Sequence, residues 1–228
     1  MKKILIILLL CIIVAPVFSQ VDAFRLASGA ETQFSNLLNT PSMVSPASAA
    51  ALGRNWFTLE TDAHVFTDEV SVRQVAAVLL DLDNQIKYFD GRRSRLSGKI
   101  INQTITAGLD EYTVDFVSTT IVPVINIRLN TPYRSLVRVV HNTDTVFAKN
   151  ILQLPQDSET NREIKKLNGV RYAQEVTING RKYTYIRIYT INELNASILP
   201  GAKNTLERNA GPTVLEALDA LIVAAKTK

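Results

Sequence analysis

The sequence holds one cysteine, Cys11, and two histidines in 228 residues. Cys11 lies inside an unbroken apolar run, residues 4–14, preceded by Lys2-Lys3 and followed by Pro16 and Val17-Phe18-Ser19. A basic start, an apolar stretch and a small-residue end are what a signal peptidase reads. The run is shorter than the roughly 20 residues a membrane-crossing helix needs, so a signal peptide over residues 1–19 is expected, with a periplasmic or secreted product. Leu8-Leu9-Leu10 before Cys11 is not the small-residue setting of a lipidation site, so the cysteine is expected to leave with the signal. The remainder then has no disulfide, thiolate metal site or cysteine nucleophile, and its stability must rest on a packed core.

Motif chemistry is scarce as well. The chain has no G-x-S-x-G elbow, no G-x-G-x-x-G or P-loop glycine pattern and no H-E-x-x-H, which removes the common signatures of hydrolases, nucleotide-binding enzymes and zinc proteases. Neither histidine stands in a convincing metal-ligand spacing, so no metal and no cofactor is expected. The formal net charge is +4, or +2 without Lys2 and Lys3, too weak a bias to argue for nucleic acid.

What is present reads as α+β. Residues 20–53 are a mixed stretch followed by Thr, Pro, Ser and Ala from Asn39 to Ala51, a composition expected of an N-terminal extension or linker. The compact domain is expected over residues 54–228, long enough for one well-buried core. Residues 56–66 alternate, with Phe57, Leu59, Ala63 and Val65 on one side and Thr58, Glu60, Asp62 and His64 on the other, as a half-buried strand requires. Ser71 and Gln74 form a capping-box pair before Val72, Val75, Ala76, Leu79 and Leu80 at helical spacing, and residues 81–89 continue as a second helical piece or tight turn. Strands are expected over 97–106, 111–120, 124–130, 134–141 and 145–154, with Pro123 at a bend and a polar insertion over 155–169. Asn179-Gly180 between residues 170–178 and 181–190 is the signature of a type I′ hairpin, with Ile186 and Ile188 facing away from Tyr185, Arg187 and Tyr189. Pro212 is placed to begin a terminal helix whose apolar stripe is Val214, Leu215, Leu218, Leu221, Ile222 and Ala225, with Lys226 and Lys228 suited to its C-terminal end.

About six or seven antiparallel strands make a sheet that twists and curls, and one amphipathic helix laid in its concave face buries both apolar surfaces. At this point the segment Leu80-Asp81-Leu82-Asp83-Asn84-Gln85-Ile86-Lys87-Tyr88-Phe89 resembles the helix-grip, START-like (SRPBCC) superfamily of lipid-transfer domains and polyketide cyclases. The resemblance is carried by Asp81, Asn84, Lys87, Tyr88 and Phe89, and by the order of hairpin, Ile198-Leu199-Pro200-Gly201 connection and last helix. It departs at Gln85 and Ile86, where an aromatic residue and a proline are usual, so a different turn is expected there. It implies a cavity between the last helix and the sheet for a lipid or other hydrophobic small molecule, and it does not imply a reaction.

The residues expected to line that cavity are Leu59, Ala63, Val114, Phe116, Val137, Val139, His141, Ile186, Ile188, Leu215, Leu218 and Ile222. His141 is expected at its mouth, His64 and Asp115 on the solvated side, and Arg128 or Arg138 as an inward anchor for an acidic head group or as a convex-face arginine. Arg92, Arg93 and Arg95, with Lys99, form the densest basic cluster, suited to transient contact with an anionic membrane surface or simply to solvation. The leading expectation is a binding or carrier protein without catalysis. The others are a cyclase- or hydrolase-type enzyme using His141 and a cavity arginine, and an envelope interaction module binding through the basic loop or the 155–169 insertion.

Overall fold

The computed structural model describes residues 21–26, 38–53, 55–106, 108–122, 127–153, 164–195 and 202–228. Its strands are β1 (Ser42–Ala51), β2 (Trp56–Thr67), β3 (Ser94–Thr106), β4 (Leu109–Val122), β5 (Ile127–His141), β6 (Thr145–Gln153), β7 (Ile164–Ile178) and β8 (Arg181–Asn195). They form one antiparallel sheet in the order β1-β2-β8-β7-β6-β5-β4-β3. Between β2 and β3 lie helix α1 (Val72–Leu80), a 3-10 turn (Leu82–Asn84) and the one-turn helix α2 (Gln85–Tyr88), and the chain ends with helix α3 (Ala202–Ala225).

Local chemistry accounts for most of these elements. Ser71 caps α1 in a reciprocal capping box with Gln74, which satisfies two orphan donors of the first turn. Asn179 and Gly180 both adopt positive φ, 51° and 77°, as a I′ turn demands, and the turn sets the β7–β8 register from Ile178↔Arg181 down to Arg171↔Ile188 and Gly169↔Thr190. At the departure from the family pattern, Gln85 is buried and its amide donates to the carbonyls of Val78 and Asp81. The glutamine thus ties the 3-10 turn back onto the end of α1.

The sheet has eight strands where six or seven were expected, and the added one is β1, within the stretch read as a linker. An edge strand needs backbone hydrogen bonds to one neighbour only, so the Ser- and Ala-rich composition of residues 42–51 did not reveal it. The register against β2 shifts between Ser45 and Ser48, which brackets Pro46, and a bulge on an edge strand is where proline is tolerated. The compact unit therefore begins before Arg54. Strands expected separately over 124–130 and 134–141 are one strand, β5. It passes through Pro132, whose register partner on β4 is Val117, and among the described residues β6 pairs with β5 from Arg134 onward. β7 begins at Ile164, inside the expected insertion, and α3 begins ten residues before Pro212, which it contains as an interior residue. Residues 1–20, Pro123, 154–163 and the 198–201 connection lie outside the described residues.

Alternation places a core on each face. On the concave face Ala63, Val65, Val114, Val139, Ala173, Ile186 and Ile188 meet α1 and the stripe Val214, Leu218, Leu221, Ile222 and Ala225. On the convex face Phe66, Phe147, Val170, Tyr172, Val176 and Tyr185 form a second cluster, joined by Val21 and Phe24 from the N-terminal residues 21–26. Phe24 packs against the Phe147, Tyr172 and Tyr189 rings and under Arg187, whose guanidinium holds Asp62 through two bonds of 2.8 and 2.6 Å. His64, expected at the surface, is buried there with its ring edge-on to Phe66 and Tyr185. That burial lowers its pKa.

Candidate functional site

The register divides the concave face into rows of inward side chains that cross the strands. Val65, Ile186, Ala173 and Val146 form one row, and two residues along each strand come Ala63, Ile188, Arg171, Ala148 and Val139. Two residues further lie Thr61, Thr190, Gly169, Asn150 and Val137, and beyond them Leu59, Asn192 and Leu167. Helix α1 and the second half of α3 cover the first of these rows. Past the end of α1 at Leu80, the first half of α3 arches over the sheet, with Leu82 of the 3-10 turn and Phe89 after α2 beside it.

Under that half lies a hollow of about 360 Å³, opening between α3 and β3 and lined mainly by apolar groups. α3 supplies Leu206, Asn209, Ala210, Thr213, Val214 and Ala217, and the sheet supplies Leu59, Leu167, Ile188, Asn192 and Leu194, with Phe89 and Leu96 on the far rim. A smaller hollow of about 100 Å³ runs deeper, towards Leu79, Leu82, Phe116, Val137 and Asn150. Leu96, Tyr133, Leu167, Gly169, Arg171, Ile188 and Thr190 line both and mark the neck between them. The larger volume is at the lower end of the roughly 300–1,000 Å³ of small-molecule sites.

Three features make this a site as well as a gap. Gly169 sits in the neck in mid-strand, where a Cβ would meet nothing nearer than the Asn150 Cβ at 4.0 Å; an interior glycine that costs strand stability without relieving a clash keeps space open. The Oδ1 atoms of Asn150 and Asn192 are buried and have no hydrogen-bond partner among the described residues. Arg171 projects into the neck with its guanidinium 5.2 Å from the Phe89 ring centre, and no carboxylate pairs with it among the described residues. Burial lowers its pKa, partly offset by Tyr133, and burial raises the Tyr133 phenol to about 12, so that hydroxyl is a neutral donor.

The expected lining divides between the hollows and the packed core. Leu59 and Ile188 line the larger hollow, and Phe116, Val137 and Ile188 the smaller. Ala63, Val114, Val139, Ile186, Leu218 and Ile222 are solid core beneath α1 and the second half of α3, and Leu215 leans on that core. The stripe of α3 faces the sheet, and the larger hollow lies beneath the turns from Leu206 to Ala217. His141, expected at the mouth, is at the opposite end of β5, where its Nε2 lies 3.1 Å from Asp110 Oδ2; alternation gave its side of the sheet and not its distance from the opening. Arg138 pairs with Glu111 at 2.6 Å and Asp115 with Arg134 at 2.6 Å, both on the convex face, and the Arg128 side chain lies outside the described residues.

The basic loop is more tethered than a solvated loop. The Arg92 backbone N–H donates to Glu216 of α3, Arg93 donates to Asn209 at 3.2 Å, and Arg95 pairs with Asp90 while lining the hollow. Arg171 is an inward arginine without a carboxylate partner among the described residues, and motif reading missed it. The signal was present: counting back from the Asn179-Gly180 turn sets Arg171 opposite Ile188, an inward position, between the small residues Gly169 and Ala173 on the same face.

No protein-family model and no curated protein sequence matches the chain. Among solved structures, it is similar to a STAR-related lipid transfer protein from Xanthomonas axonopodis, with 12% identity over 79% of this chain and 99% of that one and a TM-score of 0.52. It is also similar to human STARD10, with 11% identity over 88% and 80% of the two chains and a TM-score of 0.47. A further likeness is to the Zhui aromatase/cyclase from a Streptomyces species, with 12% identity over 74% and 93% and a TM-score of 0.44. The curved antiparallel sheet gripping a C-terminal helix is the START-like helix-grip fold.

Proposed function

We propose that this chain is an exported binding or carrier protein that holds a hydrophobic small molecule in the hollow beneath the first half of α3. The observation that carries the reading is the largely apolar hollow of about 360 Å³ beside the packed core formed by α1 and the second half of α3. Transfer of apolar ligand surface from water to such a lining gains about 25 cal/mol per Å², and the polar groups at the neck orient what enters. Export is proposed from the Lys2-Lys3 start and the apolar run of residues 4–14, and an intact mass beginning at Gln20 is the expected result for the secreted protein.

The test is native mass spectrometry of the purified protein, alone and after incubation with dodecanoate and dodecanol, beside a Gly169→Phe variant. The wild type is expected to carry or take up an apolar molecule. The variant, its neck filled by the new ring, is expected to fold and stay empty. A folded wild type that neither carries nor takes up either compound overturns the reading.

A cyclase-type activity is the second reading, favoured by Tyr133 and Arg171 meeting at the neck, where a neutral phenol and a guanidinium could polarise a ligand carbonyl. Turnover lost in Tyr133→Phe with ligand binding retained would favour it over simple carriage.

A further inference from the structure

We infer that the ligand is a monoanionic amphiphile, an apolar body ending in one acid group of carboxylate type, with that group seated on Arg171 in the neck between the two hollows. This rests on the carrier reading and adds the chemistry of the guest's polar end.

The charge count around the hollow favours it. Among the described residues, those that line one hollow or the other include no Asp or Glu and two arginines, Arg95 and Arg171. Arg95 is neutralised by Asp90, whereas Arg171 has no carboxylate partner among the described residues. A cation in a largely apolar wall is costly unless an anion meets it, and here the open side of the guanidinium faces the space a guest would fill. Arg171 lies between Ile188 and Ala148 in its row, and the carboxylate further along that row, Asp110, is three strands away beyond Val139 and is paired with His141.

One free positive charge matches a carboxylate. A phosphate monoester carries about −1.5 to −2 near pH 7, and the surplus charge would be left in an apolar setting. The guanidinium fork suits the two oxygens of a carboxylate, and the Tyr133 hydroxyl lines the same neck as a neutral donor. The unpaired Asn150 and Asn192 oxygens flank the neck, one in each hollow. They accept from a donor, so a hydroxyl on the guest's body strengthens binding where a methylene in its place does not.

The experiment compares dodecanoate, dodecanol and dodecyl phosphate by isothermal titration calorimetry on the wild type, Arg171→Met and Arg171→Lys. The wild type is expected to bind dodecanoate about tenfold to a hundredfold more tightly than dodecanol, the range of one charge-assisted hydrogen-bonded contact. Arg171→Met is expected to lose that preference while keeping its affinity for dodecanol, and Arg171→Lys to keep part of it. Equal wild-type affinities for acid and alcohol overturn the inference and leave the carrier reading standing. A preference for dodecyl phosphate over dodecanoate overturns the monoanion assignment. Binding of none of the three overturns both readings. The wild-type comparison decides the matter even if a variant does not fold.

Discussion

The two halves of the interface between α3 and the sheet are built from the same curved surface and the same helix, yet one is sealed and the other hollow. In the sealed half Leu218, Leu221, Ile222 and Ala225 meet Val65, Ala173, Ile186 and the α1 residues Val75, Val78 and Leu79, all buried. In the hollow half the corresponding rows carry Thr61, Thr190, Gly169, Asn150 and Asn192, and α1 reaches them only with its last turn, at Leu79, among the described residues. The sealed half supplies stability, and the hollow half gives some of it up for a space with polar groups at its neck. The difference lies in coverage by α1 and in a few small or polar residues, and hardly in the apolar stripe itself.

Truncation should expose this contrast most strongly. Leu218→Ala, in fully packed surroundings, is expected to cost about 3–5 kcal/mol. Leu206→Ala, at the half-exposed rim of the hollow, is expected to cost about 1 kcal/mol or less. Urea denaturation of both variants measures the gap, and similar losses would erase the distinction between the halves.

Adding a methyl group sharpens it from the other side. Gly98 on β3 faces the Leu82 carbonyl oxygen and the Phe116 ring so closely that a Cβ would collide with both, and Gly98→Ala is expected to destabilise by about 2–3 kcal/mol. Gly169→Ala meets open space and is expected to leave stability unchanged or raise it by up to about 1 kcal/mol. Thermal melts of the pair give the comparison directly.

The sealed half also has an electrostatic closure at the C-terminal end of α3. At the end of α3, Lys226 pairs with Glu69 at 2.9 Å and Lys228 with Asp81 at 3.0 Å. Burial alone would raise the Asp81 carboxyl, but hydrogen bonds from Tyr88, Asn84 and Lys228 and the Lys228 charge bring it down to about 2. A carboxylate depressed in the folded state contributes stability that is full above its unfolded pKa of about 4 and is lost as pH falls towards 2, here on the order of 2 kcal/mol. Denaturation midpoints of the wild type and Asp81→Asn between pH 5 and pH 2 should converge as pH falls. Parallel curves would remove Asp81 from the closure.

The smallest expected effect is at the neck. Arg171→Met exchanges a costly cation for an apolar side chain of similar length and is expected to raise the stability of the ligand-free protein by about 1 kcal/mol. A loss of stability instead would show that Arg171 has a structural partner and is not held ready for a guest.

Much of this was legible before any tertiary contact. The Ser71 and Gln74 pair, the Asn179-Gly180 turn, the alternation of β2 and the stripe from Val214 to Ala225 each carry a local signature, because caps, turns and periodicities depend on residues a few positions apart. β1 carries none, since its partner supplies its hydrogen bonds and its composition is that of a loop. Arg171 could have been placed on the concave face by counting from the turn, but an arginine in a strand is ordinarily on the solvated side, and nothing local says that its neighbours leave room inside.

The sequence by itself determined which residues face the concave side of the sheet and which stripe of α3 meets them, because side-chain direction follows from backbone period alone. Only the tertiary structure decided how far along those strands the covering stops. That depends on where α1 ends and α3 crosses, a relation between elements distant in the chain, and it leaves Ala63, Val139 and Ile186 in packed core while the hollow opens at Gly169, Arg171 and Asn192.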